Sequence, residues 1–73
     1  MRATPTNRLR IYNVTRAYWA DYGKGIGVDT LAARLSLPPE AVEACCIALV
    51  EARVLELANV SATHPMYRPS VVR

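Results

Sequence analysis

The sequence has no phenylalanine and no glutamine, a single lysine, one histidine, and only two cysteines, which are adjacent. Each scarcity removes a class of protein. His64 with the neighbouring thiols of Cys45 and Cys46 falls short of the roughly four ligands that zinc requires, so no metal site is expected. Neighbouring helical residues point about 100° apart, so the two thiols make no disulfide framework, and a reducing, cytoplasmic setting is the simplest. Gly23, Gly25 and Gly27 are not followed by the Lys-Ser/Thr of a phosphate loop, and no Cys–His or Ser–His–acid spacing stands out. Neither a cofactor nor a catalytic activity is therefore expected. The longest apolar run through the middle of the chain, Ala44 to Val50, is far below the roughly 20 residues of a membrane span. The opening segment MRATPTNRLR has no apolar stretch behind its arginines, so no secretory signal and no membrane partner are read.

What remains is 73 residues, 52% of them apolar and 21% charged, with no low-complexity tract. That composition predicts one small folded domain over residues 1–73, with a core over about 4–69 and a frayed tail at 70–73. Eight arginines against one lysine, with eleven alanines, suit a GC-rich coding sequence.

Thr4-Pro5 reads as a helix start, with Thr4 as N-cap and proline at the first helical position. Ile11, Val14, Tyr18 and Tyr22, with Trp19 beside them, recur at helical spacing and predict the buried face of this helix. Gly23 suits a left-handed cap. Gly25-Ile26-Gly27 reads as an extended connector. Asp29 to Leu35 forms a second, short helix, and Pro38-Pro39 ends it and starts a third that runs to about Ala52. Val42, Cys46 and Leu49 form the core face of that third helix, and Cys45 is expected to be exposed. Val54-Leu55-Glu56-Leu57 and Met66-Tyr67-Arg68 predict two strands, the second bounded by Pro65 and Pro69 and placed at an edge. The fold class is mainly α with a small β-hairpin.

Three helices followed by a hairpin, with a tight turn between helices two and three, resemble the winged helix-turn-helix fold. Over roughly residues 4–57 the chain resembles the N-terminal DNA-binding domain of LexA-type repressors. The resemblance rests on Ile11, Tyr12, Tyr18 and Gly23, then Val28, Leu31, Ala32, Leu35 and Leu37, then Pro39, Val42, Leu49 and Ala52. It implies a three-helix body with a two-stranded wing, and a third helix that enters the major groove. The family's reading positions then fall on Glu40, Ala41, Glu43, Ala44, Cys45, Ile47 and Ala48. The family's glycine after the third helix is Arg53 here.

The charge is unevenly placed. Residues 1–24 carry Arg2, Arg8, Arg10, Arg16 and Lys24 against Asp21, whereas residues 38–57 carry Arg53 against Glu40, Glu43, Glu51 and Glu56. Two functions follow. In the first the chain is a transcriptional regulator that grips double-stranded DNA through phosphates, with Arg8, Arg10, Thr30, Arg34, His64 and Arg68 as contacts. In the second it is a protein-interaction module, self-associating or binding a partner protein, in which Ala41, Ala44, Cys45, Ile47 and Ala48 form a smooth apolar ridge on the third helix.

Overall fold

A proline at the first helical position loses no hydrogen bond and already holds helical φ, and Pro5 opens the first helix on that basis. The computed structural model describes residues 5–59 and 63–70. Its elements are α1 (Pro5–Tyr22), β1 (Ile26–Gly27), α2 (Val28–Leu35), α3 (Pro39–Glu51), β2 (Leu55–Leu57) and β3 (Met66–Pro69). The expected N-cap Thr4, the loop centre Val60-Ser61-Ala62, and residues 71–73 of the expected tail lie outside the described residues.

α1 ends where Gly23 takes φ +68° and donates its N–H to the Trp19 carbonyl at 2.8 Å, the left-handed cap expected there. Its buried face differs from the one predicted. Asn7, Ile11 and Thr15 are buried, Tyr12, Val14 and Tyr18 pack beside them, and Tyr22 is 58% exposed. Periodicity of apolar residues missed the two polar members. Thr15 fits because its Oγ1 donates to the Ile11 carbonyl at 2.7 Å, which satisfies the hydroxyl within the helix. No buried side-chain nitrogen or oxygen among the described residues lacks a partner.

Between α2 and α3 the chain turns in three residues. Ser36 is left-handed at φ 55°, the Leu37 N–H reaches the Ala32 carbonyl at 3.1 Å, and Pro38 is extended before Pro39 starts α3. The core gathers Ile11, Leu31, Val42, Cys46, Leu49 and Leu55 with Ile26 and Tyr67. α3 packs against α1, α2 and β2 at once. This triple contact makes its buried stripe broad: Ala41, Val42, Cys45, Cys46 and Leu49 are all inside.

Among the described residues the sheet has three antiparallel strands in the order β1-β3-β2, not two. Ile26–Gly27, expected as a connector, pairs with Met66 and Tyr67. β3 is therefore central rather than an edge, and the register explains how it tolerates Pro69. The N–H of Ser70 reaches the Val54 carbonyl at 3.0 Å and that of Ala58 reaches the Met66 carbonyl at 2.7 Å. Hydrogen bonding on the β2 side thus falls at alternate residues, with Pro69 opposite Leu55 between them. Its missing N–H faces the β1 side, where pairing has ended at Ile26 opposite Tyr67.

Two backbone positions carry distinct costs. A Cβ on Gly25 would sit 2.6 Å from the Ala58 Cβ and 3.0 Å from the Tyr67 carbonyl oxygen, so glycine is what lets β1 approach β3. Arg53 adopts φ 64°, where a side chain crowds the following carbonyl. Gly25→Ala is expected to cost about 1–3 kcal/mol by overpacking. Arg53→Gly should add about 1 kcal/mol of stability by relieving the left-handed strain. Urea unfolding measures both, and the two signs must be opposite.

Candidate nucleic-acid interface

The first turn of an α-helix leaves backbone N–H groups unsatisfied, and these attract anions when no side chain caps them. Gly27 precedes α2 and Pro38 precedes α3, and neither supplies a side-chain cap. Both helix starts open onto one groove of about 350 Å³, whose walls include Gly27 to Thr30, Pro39, Glu43 and Thr63 to Met66. Thr30 and His64, predicted as phosphate contacts from separate parts of the chain, are brought together here. Both are exposed. Asp29 and Glu43 line the same groove and oppose an anion, and no arginine or lysine among the described residues lines it, so any attraction for phosphate there comes from backbone N–H groups, Thr30 and His64.

Asn59 holds one wall in place. Its Nδ2 donates to the His64 carbonyl at 3.2 Å, and its Oδ1 accepts the Met66 N–H at 3.0 Å. One amide side chain thus bridges the base of the β2–β3 loop. The sequence signal for it was available, since asparagine is a residue that side-chain-bonds loop backbone, but nothing in the sequence gave the loop's closure distance.

The predicted cations do not converge on this groove. Arg10 donates from Nη2 to the Leu35 carbonyl at 3.0 Å, and Arg34 places its guanidinium 5.2 Å from the Tyr18 ring centre. Both sit at the C-terminal end of α2, where positive charge complements the exposed carbonyls. Tyr18 in turn packs against Tyr22, with ring centres 4.6 Å apart and the ring planes tilted by 49°. Arg8 is half-buried on α1. Arg68 lies 5.3 Å from the Trp19 ring centre and donates from Nε to Glu56 Oε2 at 2.6 Å. Its charge is neutralised within the sheet, since Glu56 is its cross-strand neighbour. Arg68, expected as a phosphate contact, is thus held between Trp19 and Glu56 and is not presented as an unpaired cation.

The expected ridge on α3 is also corrected. Ala41 and Cys45 are fully buried, because α3 is packed on several sides and only small residues fit. Ala44 and Ala48 are half-buried, and only Ile47, at 49% exposure, presents a free apolar side chain. The outward face of α3 is Glu40, Glu43, Ile47 and Glu51.

Among the described residues no cluster of metal-binding side chains occurs, and no helix is long and apolar enough to cross a membrane. Burial pushes the Cys46 thiol up to about 12, with the nearby Cys45 and Glu43 adding to the effect, and it raises Tyr67 as well. No family model, curated protein or solved structure matches this chain.

Two expectations follow from this geometry. Unfolded thiols lose their protons near pH 9 while folded Cys46 keeps its proton, so unfolding releases protons and stability falls as pH rises from about 9 towards 12. Urea midpoints taken at intervals across that range should decline, and less steeply in Cys46→Ala. A double-mutant cycle on Glu56→Gln and Arg68→Gln should return a coupling of about 1 kcal/mol, since the pair is partly shielded from solvent.

Proposed function

We propose that the chain is a winged helix-turn-helix module that binds double-stranded DNA mainly through its phosphate backbone. The element order α1-β1-α2-α3-β2-β3, with the sheet ordered β1-β3-β2, supports the winged-helix reading. In it α2 and α3 are the helix-turn-helix and the β2–β3 loop is the wing. The observation that carries DNA binding is the groove in which uncapped α2, the start of α3 and the wing meet. A phosphate there takes N–H bonds from the first turn of α2 and hydrogen bonds from Thr30 and His64. Arg10 and Arg34, about two helical turns away along α2, extend the contact to further phosphates.

Base reading is limited by what α3 presents. Glu40 and Glu43 can accept from cytosine N4 and Ile47 can touch a thymine methyl, but no arginine, asparagine or glutamine is available for bidentate contacts. Affinity therefore comes from the backbone, and discrimination between sequences is weak. One observation favours a second reading. Ile47 stands exposed between Glu43 and Glu51, an apolar residue with acidic flanks that suits a basic partner protein.

A gel-shift titration against salt tests the first reading. Three or four neutralised phosphates predict a slope of log affinity on log salt of about −2.7 to −3.6. Thr30→Glu and Arg34→Glu should each weaken binding about tenfold or more, and absence of duplex binding at low salt would overturn the proposal. Ile47→Arg separates the readings: it tightens DNA binding if α3 faces the groove, and it abolishes capture of a basic protein if α3 is the docking face.

A further inference from the structure

The end of α2 away from the groove carries a chemistry that duplex binding does not use. Tyr22 closes α1 with 58% of its surface exposed, and its ring centre lies 4.6 Å from that of Tyr18. Tyr18 also carries the Arg34 guanidinium, 5.2 Å from its ring centre. Arg10 reaches the same end of α2 through its bond to the Leu35 carbonyl. Both arginines are exposed. Asp21 is exposed next to Tyr22 and opposes an anion, while Lys24 is exposed two residues beyond the ring. Arg10, Arg34 and Lys24 against Asp21 leave this end of the molecule positive.

An exposed ring beside exposed guanidinium groups selects among occupants. An acidic peptide pairs with the arginines but leaves Tyr22 unused. An apolar protein surface covers Tyr22 but has to desolvate Arg34 without pairing it. Duplex DNA reaches the arginines through its phosphates, yet its base faces are covered by their neighbours in the stack. An unpaired nucleotide uses both groups. Its base has a free π face for Tyr22, and its phosphate takes hydrogen bonds from arginine. A guanidinium lying on a ring face keeps its N–H edge for such bonds.

We propose that this end of the molecule is a single-stranded nucleic-acid site, in which an unpaired base stacks on Tyr22 and flanking phosphates bind Arg34 and Arg10. Half-buried Tyr18 positions the ring and the guanidinium from beneath. The groove is at the first turn of α2, so the two sites are separated by an eight-residue helix, about 12 Å long. The single-strand site therefore goes beyond duplex binding and stands whether or not the groove grips DNA.

Fluorescence anisotropy of a dye-labelled oligothymidylate, titrated with the whole chain at low salt, tests it. The comparison probes have the same length: an abasic strand with the same backbone, a duplex and an oligouridylate. Oligothymidylate should bind at least about fivefold more tightly than the abasic strand, because stacking adds affinity for each base held. Tyr22→Leu should remove that advantage and leave the abasic strand and the duplex within about twofold, whereas Tyr22→Trp should keep it. The helical circular dichroism should be unchanged in both variants, since the side chain is exposed. Thr30→Glu, at the groove, should leave oligothymidylate binding unchanged, so failure of the groove is read separately from failure of this site. Oligouridylate distinguishes the sources: tighter binding of it assigns the site to RNA, and tighter binding of oligothymidylate assigns it to DNA. No binding of either base-bearing strand, equal binding of the abasic strand, or an advantage that survives Tyr22→Leu would each overturn the proposal.

Discussion

α3 is held by α1, α2 and β2 together, and that three-sided packing determines the rest of the surface. A helix gripped so closely needs small side chains where its neighbours approach, and Ala41, Cys45 and Cys46 meet that need alongside Val42 and Leu49. Both cysteines act there as small apolar residues, with the Cys46 thiol held protonated by burial. The apolar content of α3 is thereby almost used up. Its remaining face is acidic with one isoleucine, which leaves few side chains suited to base-specific contacts, and the proposed DNA binding therefore rests on backbone groups at the start of α2.

The arginines follow a similar logic. Arg10 and Arg34 complement the C-terminal end of α2, while Asp29 complements its start, so the short helix is stabilised at both ends. Arg68 is held between Trp19 and Glu56 and ties α1 to the sheet. A net charge of +3 therefore overstates the positive charge on offer to a polyanion. Arg10 and Arg34 each have one internal contact on an exposed side chain and can still reach phosphate. Arg68, paired with a carboxylate, cannot do so without losing that pair.

Much of the fold was legible because local signals agreed. Pro5, Gly23 and Pro39 marked helix ends by backbone chemistry alone, and Val42, Cys46 and Leu49 marked a core face by spacing. What was not legible depended on tertiary contact. Ile26–Gly27 is too short to show alternation and becomes a strand only because β3 lies beside it, an approach that Gly25 permits. Thr15 enters the core because its hydroxyl bonds within its own helix, so an apolar pattern could not reveal it. The burial of Ala41 and Cys45 depends on how many neighbours α3 has. At the candidate site, Thr30 and His64 were identified individually, but their meeting in one groove, and the role of Asn59 in closing the loop there, arise from the register of β2 and β3.

The central claim is that duplex DNA is gripped where the start of α2 meets the loop ahead of β3. Backbone amide chemical shifts, followed by NMR as a short DNA duplex is titrated into the protein, test this most directly. The account predicts that the largest changes fall on Val28, Asp29 and Thr30 and on Thr63, His64 and Met66, with smaller ones at Arg10 and Arg34. Changes confined to Ile47 and the outer face of α3, or no changes at low salt, would contradict it.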